Sequence, residues 1–125
     1  MDDTLPEQTV VTRNNRRRAD RVIWTGLGRQ PDPKRDLPSI VAEWVSESKR
    51  DWQRDYLEKR QEYQEIGIAE YLIFDRFRRT LTVYRGSQQS PEELVLHDGE
   101  IYRTPLLPGF ELPLTQLFAV ADRWS

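Results

Sequence analysis

The chain has 125 residues, 37% of them apolar and 32% charged, which sets the expectation of one domain with a modest core and a heavily charged surface. It has no cysteine and a single histidine, His97, so a disulfide framework, a thiolate metal site, a cysteine nucleophile and a multi-histidine zinc centre are excluded. The formal charge of −2 announces no polyanionic partner by itself. With neither a membrane-length apolar run nor a secretory signal in view, the expected compartment is the cytoplasm and no membrane partner is expected.

In chain order, residues 1–8 (MDDTLPEQ) lack periodicity and read as a flexible N-terminus, leaving 9–125 as a single domain. Thr9–Thr12 reads as a short strand and Asn14-Asn15 as a turn. Arg21–Thr25 (RVIWT) reads as a strand by its β-branched and aromatic content, with Asp20 at its entrance. The glycines and prolines from Gly26 to Pro38 mark a loop. Ser39–Val45 is apolar on both parities apart from Glu43, as in a strand covered on both faces. A charged helix over about Asp51–Ile66 follows, with Ser46, Ser48 or Asp51 as its cap and Gly67 as its stop. Ala69–Asp75 and Thr80–Arg85 read as an antiparallel hairpin turning at Arg76–Arg79. The stretch from Ser39–Val45 through the helix to Ala69–Asp75 has the length of a βαβ crossover. Asp98-Gly99 signals a second hairpin between Glu93–Leu96 and Ile101–Arg103. Pro105–Phe110 reads as a loop, and Leu114–Val120 as an apolar helix able to cover a sheet edge or face.

Within the main helix, Trp52, Tyr56, Tyr63 and Ile66 share one stripe, and the slot left on that stripe holds Lys59. A lysine there must snorkel outward or meet a carboxylate, and Glu43 is the candidate. Asp20 and Glu43, on neighbouring strands, make a hard-oxygen site suited to Mg²⁺ or Mn²⁺, with the carbonyl of Val45 able to supply a third ligand. Such an ion polarises a phosphoryl oxygen and lowers the pKa of an attacking water, while Lys59 orients that water or neutralises developing charge. The same residues also read as a structural buried ion pair, Glu43 with Lys59, a weak device for stability. Two arginine clusters, Arg16, Arg17 and Arg18, then Arg76, Arg78 and Arg79, are either phosphate contacts or ordinary solvated surface. Glu70 and Asp75 read as strand-end surface residues or ion-pair partners. Tyr63 and Tyr71 read as core aromatics with hydrogen-bonded hydroxyls, Ser46 as a cap or turn residue, and His97 as an exposed residue.

The stretches RRRADRVIW, LPSIVAEWVSESKRDWQRDYLEKRQEY, GIAEYLIFDRFRRTLTVY and LPGFELPLTQLF together resemble a restriction-endonuclease family of unknown function, widespread in bacteria, within the PD-(D/E)xK nuclease superfamily. That family's pattern falls on Asp20, Glu43, Ser46, Asp55, Lys59, Tyr63, Gly67, Glu70, Tyr71 and Asp75. Two departures from the superfamily are visible: Ala19 stands before Asp20 in place of proline, and no lysine follows two residues after Glu43. The resemblance implies that the helix lysine, Lys59, takes that role. It also marks a short form, because only nineteen residues precede Asp20 where members usually carry further helices and a hairpin. The implied fold is α/β, a restriction-endonuclease-like mixed β-sheet with the main helix packed on one face. The implied activity is Mg²⁺- (or Mn²⁺-) dependent hydrolysis of DNA phosphodiesters, with Asp20, Glu43 and Lys59 catalytic, Asp20, Glu43 and Val45 holding the metal, and no organic cofactor. The alternative is a catalytically inactive nuclease-fold module for nucleic-acid binding or protein assembly. Aromatic residues expected at the surface, such as Trp124, make a homodimer a further expectation.

Overall fold

The run Glu70–Asp75 (EYLIFD) is buried at every position, and the rest of the chain is layered around it. The structure is a computed structural model describing residues 3–11, 16–25, 36–45, 52–86 and 91–123; the side chains of residues 3–9, 11, 16–20, 52–55, 91 and 121–123 lie outside that description. Six strands form one sheet in sequence order: β1 (Asp3–Val11), β2 (Arg16–Trp24), β3 (Ile40–Trp44), β4 (Glu70–Asp75), β5 (Thr80–Gly86) and β6 (Pro91–His97). Only β3 and β4 run parallel, and they are the pair joined through the helix α1 (Trp52–Glu65), as a crossover requires. All other neighbours are antiparallel. A small antiparallel pair, β7 (Ile101–Tyr102) with β8 (Leu112–Pro113), leads into α2 (Leu114–Arg123).

Side-chain alternation splits the core into two layers. Val22 and Trp24 of β2, Val41 of β3 with Val45 just after it, and Tyr71 and Ile73 of β4 pack with Tyr56 and Tyr63 of α1. The opposite parity, Ile40, Leu72, Phe74, Leu81 and Val83, packs with Tyr102, Leu114 and Phe118, which brings α2 onto the other face. The rings of Phe74 and Phe118 stack with centroids 5.2 Å apart. Helix α1 is mostly polar, so its place on the sheet depends on the short stripe Tyr56, Lys59 and Tyr63, all buried, while Leu57, Glu58, Gln61 and Glu65 are exposed.

Turn chemistry fixes the ends that matter for the site. Gly67 closes α1 at φ +92°: its N–H bonds the carbonyl of Gln64 at 3.2 Å and the N–H of Ile68 bonds that of Tyr63 at 3.0 Å, the paired bonds of a Schellman motif. At the β4–β5 turn, Asp75 Oδ1 accepts from the N–H groups of Phe77 and Arg78 at 2.9 and 3.0 Å.

The structure departs from the sequence reading in four places. Strand β1 begins at Asp3, so residues 3–8 form strand rather than an unpaired terminus. The irregular composition there, including Pro6, is tolerated because β1 is an edge strand. Strand β2 begins at Arg16, which places Asp20 inside the strand and not at its entrance; pairing with β1 carries the arginine-rich half that has little strand propensity of its own. β6 and β7 do not pair with each other: the chain turns at Gly99, φ +93°, but β6 joins β5 and β7 joins β8. Glu70 and Asp75 are buried instead of lying at the surface, which leaves the ion-pair alternative: Glu70 lies beside Arg85 and Asp75 beside Arg78. The proposed cap residues Ser46, Ser48 and Asp51, the Asn14-Asn15 turn and Trp124 fall outside the described residues.

Candidate active site

Glu43 and Lys59 meet. The odd parity of β3 faces α1, so the one acid in that strand is turned toward the helix, and Lys59 sits three residues after Tyr56 and four before Tyr63 on the facing stripe. Lys59 Nζ donates to Glu43 Oε1 at 2.7 Å, with the two residues only 7% and 2% exposed. The lysine does not snorkel. Its ammonium also lies 5.7 Å from the centre of the Tyr56 ring.

Tyr71 completes the arrangement. Its hydroxyl donates to the other carboxylate oxygen, Glu43 Oε2, at 2.6 Å. Burial first, and then the negative charge of Glu43, push the Tyr71 phenol well above its ordinary pKa, so it remains a protonated donor. The Tyr71 ring is wedged between Tyr63, edge-on at 5.1 Å and 68°, and Tyr84, stacked at 6.1 Å and 27°. The link from Tyr71 to Glu43 was hidden in the sequence because it depends on the β3–β4 register. Val41 is level with Tyr71 and Glu43 with Ile73, so the contact is a diagonal one across parallel strands.

Asp20 lies within β2. In β2, Arg21 pairs with Ala42 and Val22 with Val41, so the backbone of Asp20 directly precedes the segment of β2 that pairs with β3. Val45 follows the end of β3, its side chain in the core and its N–H bonded to the carbonyl of Phe74 at 2.9 Å. Both arginine clusters reach the same end of the sheet. Arg76–Arg79 leaves β4 beside the end of β3, and Arg16–Arg18 opens β2, which runs the opposite way. Arg78 lies 3.8 Å from Asp75, and Arg79 lies 3.7 Å from Asp98 with its guanidinium 4.5 Å over the Phe118 ring.

Among the described side chains no group of three or more His, Cys, Asp or Glu converges as a metal cluster. The donor chemistry of Glu43 nonetheless fits a hard cation: a carboxylate offers about four lone-pair directions, and Lys59 and Tyr71 occupy one on each oxygen. A second buried acid lies on the opposite face. Glu70 accepts from the hydroxyls of Tyr102, at 2.6 Å, and Thr104, with Arg85 Nη2 3.4 Å away, and this set ties the segment around β7 to the sheet.

A mixed six-stranded sheet, with a buried acid and lysine meeting where its parallel pair is crossed by a helix, defines an α/β fold of the restriction-endonuclease-like class. The chain belongs to the Uma2 family, described as "Putative restriction endonuclease", whose model matches residues 3–115. In fold it is similar to the crystal structure of a "putative nuclease belonging to DUF820" from Anabaena variabilis ATCC 29413, with a TM-score of 0.74 at 15% identity, covering 94% of this chain and 68% of that one. No curated protein matches the chain.

Proposed function

We propose that the chain is a Mg²⁺- (or Mn²⁺-) dependent endonuclease that hydrolyses DNA phosphodiester bonds. The observation that carries this reading is the buried contact of Lys59 Nζ with Glu43 Oε1 at 2.7 Å, between the two residues to which the sequence resemblance assigns the catalytic acid and the helix lysine. Asp20 and Glu43 hold the cation, with the carbonyl of Val45 as a further oxygen donor. The bound ion supplies a Lewis acid for the phosphoryl oxygen and an acidified water. Lys59 orients the attacking water and offsets the negative charge that grows on the phosphorus oxygens. Arg16, Arg17, Arg18, Arg76, Arg78 and Arg79 contact backbone phosphates at the same end of the sheet, which gives local positive charge to a molecule whose net charge is −2.

A second reading, a catalytically inactive module for nucleic-acid binding or protein assembly, is favoured by two observations. Arg78 and Arg79 each have an acidic neighbour, and both oxygens of Glu43 already accept a hydrogen bond. Plasmid cleavage separates the two. With Mg²⁺, wild type should nick or linearise DNA, EDTA should stop it, and Glu43→Gln and Lys59→Met should each lower the rate by about 10²–10³. Equal background cleavage in all three proteins would leave the binding module as the standing explanation.

A further inference from the structure

The hydroxyl of Tyr71 has a consequence for which ion Glu43 can take. Resting on the metal-dependent reading above, we propose that Tyr71 is a positioning residue that sets the cation selectivity of the Glu43 site, favouring a small octahedral ion over a larger one. Glu43 is gripped from two sides by two different elements: Lys59 of α1 holds Oε1 at 2.7 Å and Tyr71 of β4 holds Oε2 at 2.6 Å. One donor alone leaves a carboxylate free to swing about its terminal bond; two donors on separate oxygens fix its plane. Tyr71 is itself immobilised by Tyr63 at 5.1 Å and Tyr84 at 6.1 Å, so its hydroxyl is a fixed point and not a rotor searching for a partner.

A carboxylate locked in this way presents its remaining lone pairs in set directions. Small divalent ions bound by oxygen demand near-ideal octahedral geometry at about 2.0–2.1 Å, whereas Ca²⁺ accepts six to eight ligands at about 2.3–2.6 Å in loose geometry. Mn²⁺ shares the octahedral oxygen preference of Mg²⁺. Rigidity of Glu43 therefore benefits Mn²⁺ and Mg²⁺ much more than Ca²⁺. The phenol acts through Glu43 and touches no reacting atom.

Isothermal titration of the intact chain with Mn²⁺ and with Ca²⁺ tests this without reference to catalysis. Tyr71→Phe keeps the ring and removes only the donor. It should weaken Mn²⁺ binding by about 10–100-fold, the usual range for losing an orienting partner of a ligand, and weaken Ca²⁺ binding less, so the Mn²⁺/Ca²⁺ affinity ratio narrows. Glu43→Gln should lose both ions. Should Tyr71→Phe fail to fold, Tyr84→Ala removes the partly buried ring that steadies Tyr71 and should narrow the ratio in the same direction. An unchanged ratio, with Glu43→Gln still losing Mn²⁺, would overturn the role of Tyr71 while leaving the metal site intact. Wild type that binds no Mn²⁺, or Glu43→Gln that binds it as well as wild type, would remove the metal-dependent reading and this inference with it.

Discussion

At Glu43 the energetics are those of a buried ion pair with a third member. Taking two charges out of water costs several kcal/mol for each, and their mutual attraction does little more than offset it. Removing one member leaves the other charged and unpaired, so Lys59→Met alone should destabilise the protein by about 3–5 kcal/mol. Replacing both charges, Glu43→Leu with Lys59→Met, leaves the Tyr71 hydroxyl without its acceptor, at about 1–3 kcal/mol. Adding Tyr71→Phe removes that orphan as well. The triple variant should recover to within about 1 kcal/mol of wild type in urea unfolding, a strongly non-additive series, while the nuclease activity proposed above is lost. Three single losses that simply add in the triple variant would show that the three groups do not act as a unit. Two of the three members of this cluster are legible in the sequence. Lys59 declares itself as the wrong residue on an aromatic stripe, and Glu43 as the wrong residue in an apolar strand. Tyr71 does not, because a tyrosine in a buried strand breaks no local rule. The same holds for Glu70, whose partners Tyr102 and Thr104 come from a segment about thirty residues further on.

Among the elements, those specified by local chemistry were read well and those specified by pairing were not. β3, α1, β4 and β5 follow from apolar content, helical spacing and Gly67, and the parallel β3–β4 pair follows from the crossover length. The choice of β6 to extend the main sheet depends instead on burial of Leu94 and Leu96 against the α2 layer, which a turn signal at Asp98-Gly99 does not report. In β1 and the first half of β2, each strand is stabilised chiefly by the other, so neither half shows a strong pattern alone. Gly67 is where an element can be tested by one atom. A Cβ there would sit 3.8 Å from Leu37 Cδ2, ordinary contact, so the penalty for Gly67→Ala comes from the left-handed backbone alone. That penalty is about 1–2 kcal/mol. It should appear as a lower urea midpoint with an unchanged slope. A neutral substitution would mean that α1 ends without its Schellman turn.

Across the whole molecule, the described side chains place a buried carboxylate–tyrosine pair on each face of the sheet: Glu43 with Tyr71 under α1, and Glu70 with Tyr102 on the side of α2. In both pairs burial is the main cause that raises the phenol above its ordinary pKa of 10.0, with the neighbouring carboxylate adding to it. The sign of the linkage follows. Below about pH 10 both phenols are protonated in the folded and unfolded chains alike, and their contribution is fully present. Above it the unfolded chain releases these protons and the folded chain keeps them, so stability falls as pH rises. The loss approaches about 1.4 kcal/mol per pH unit for each phenol. Urea midpoints measured between pH 8 and pH 11 should therefore be flat at first and then drop. Lysines also titrate in this range, and the phenylalanine variants separate the two sources. Tyr71→Phe and Tyr102→Phe should each flatten the alkaline drop by a similar amount, and the double variant should remove both shares because the pairs lie on opposite faces and share no partner. If only one variant changes the slope, the phenol on the other face ionises without unfolding the chain, and the two layers are not equally closed to water.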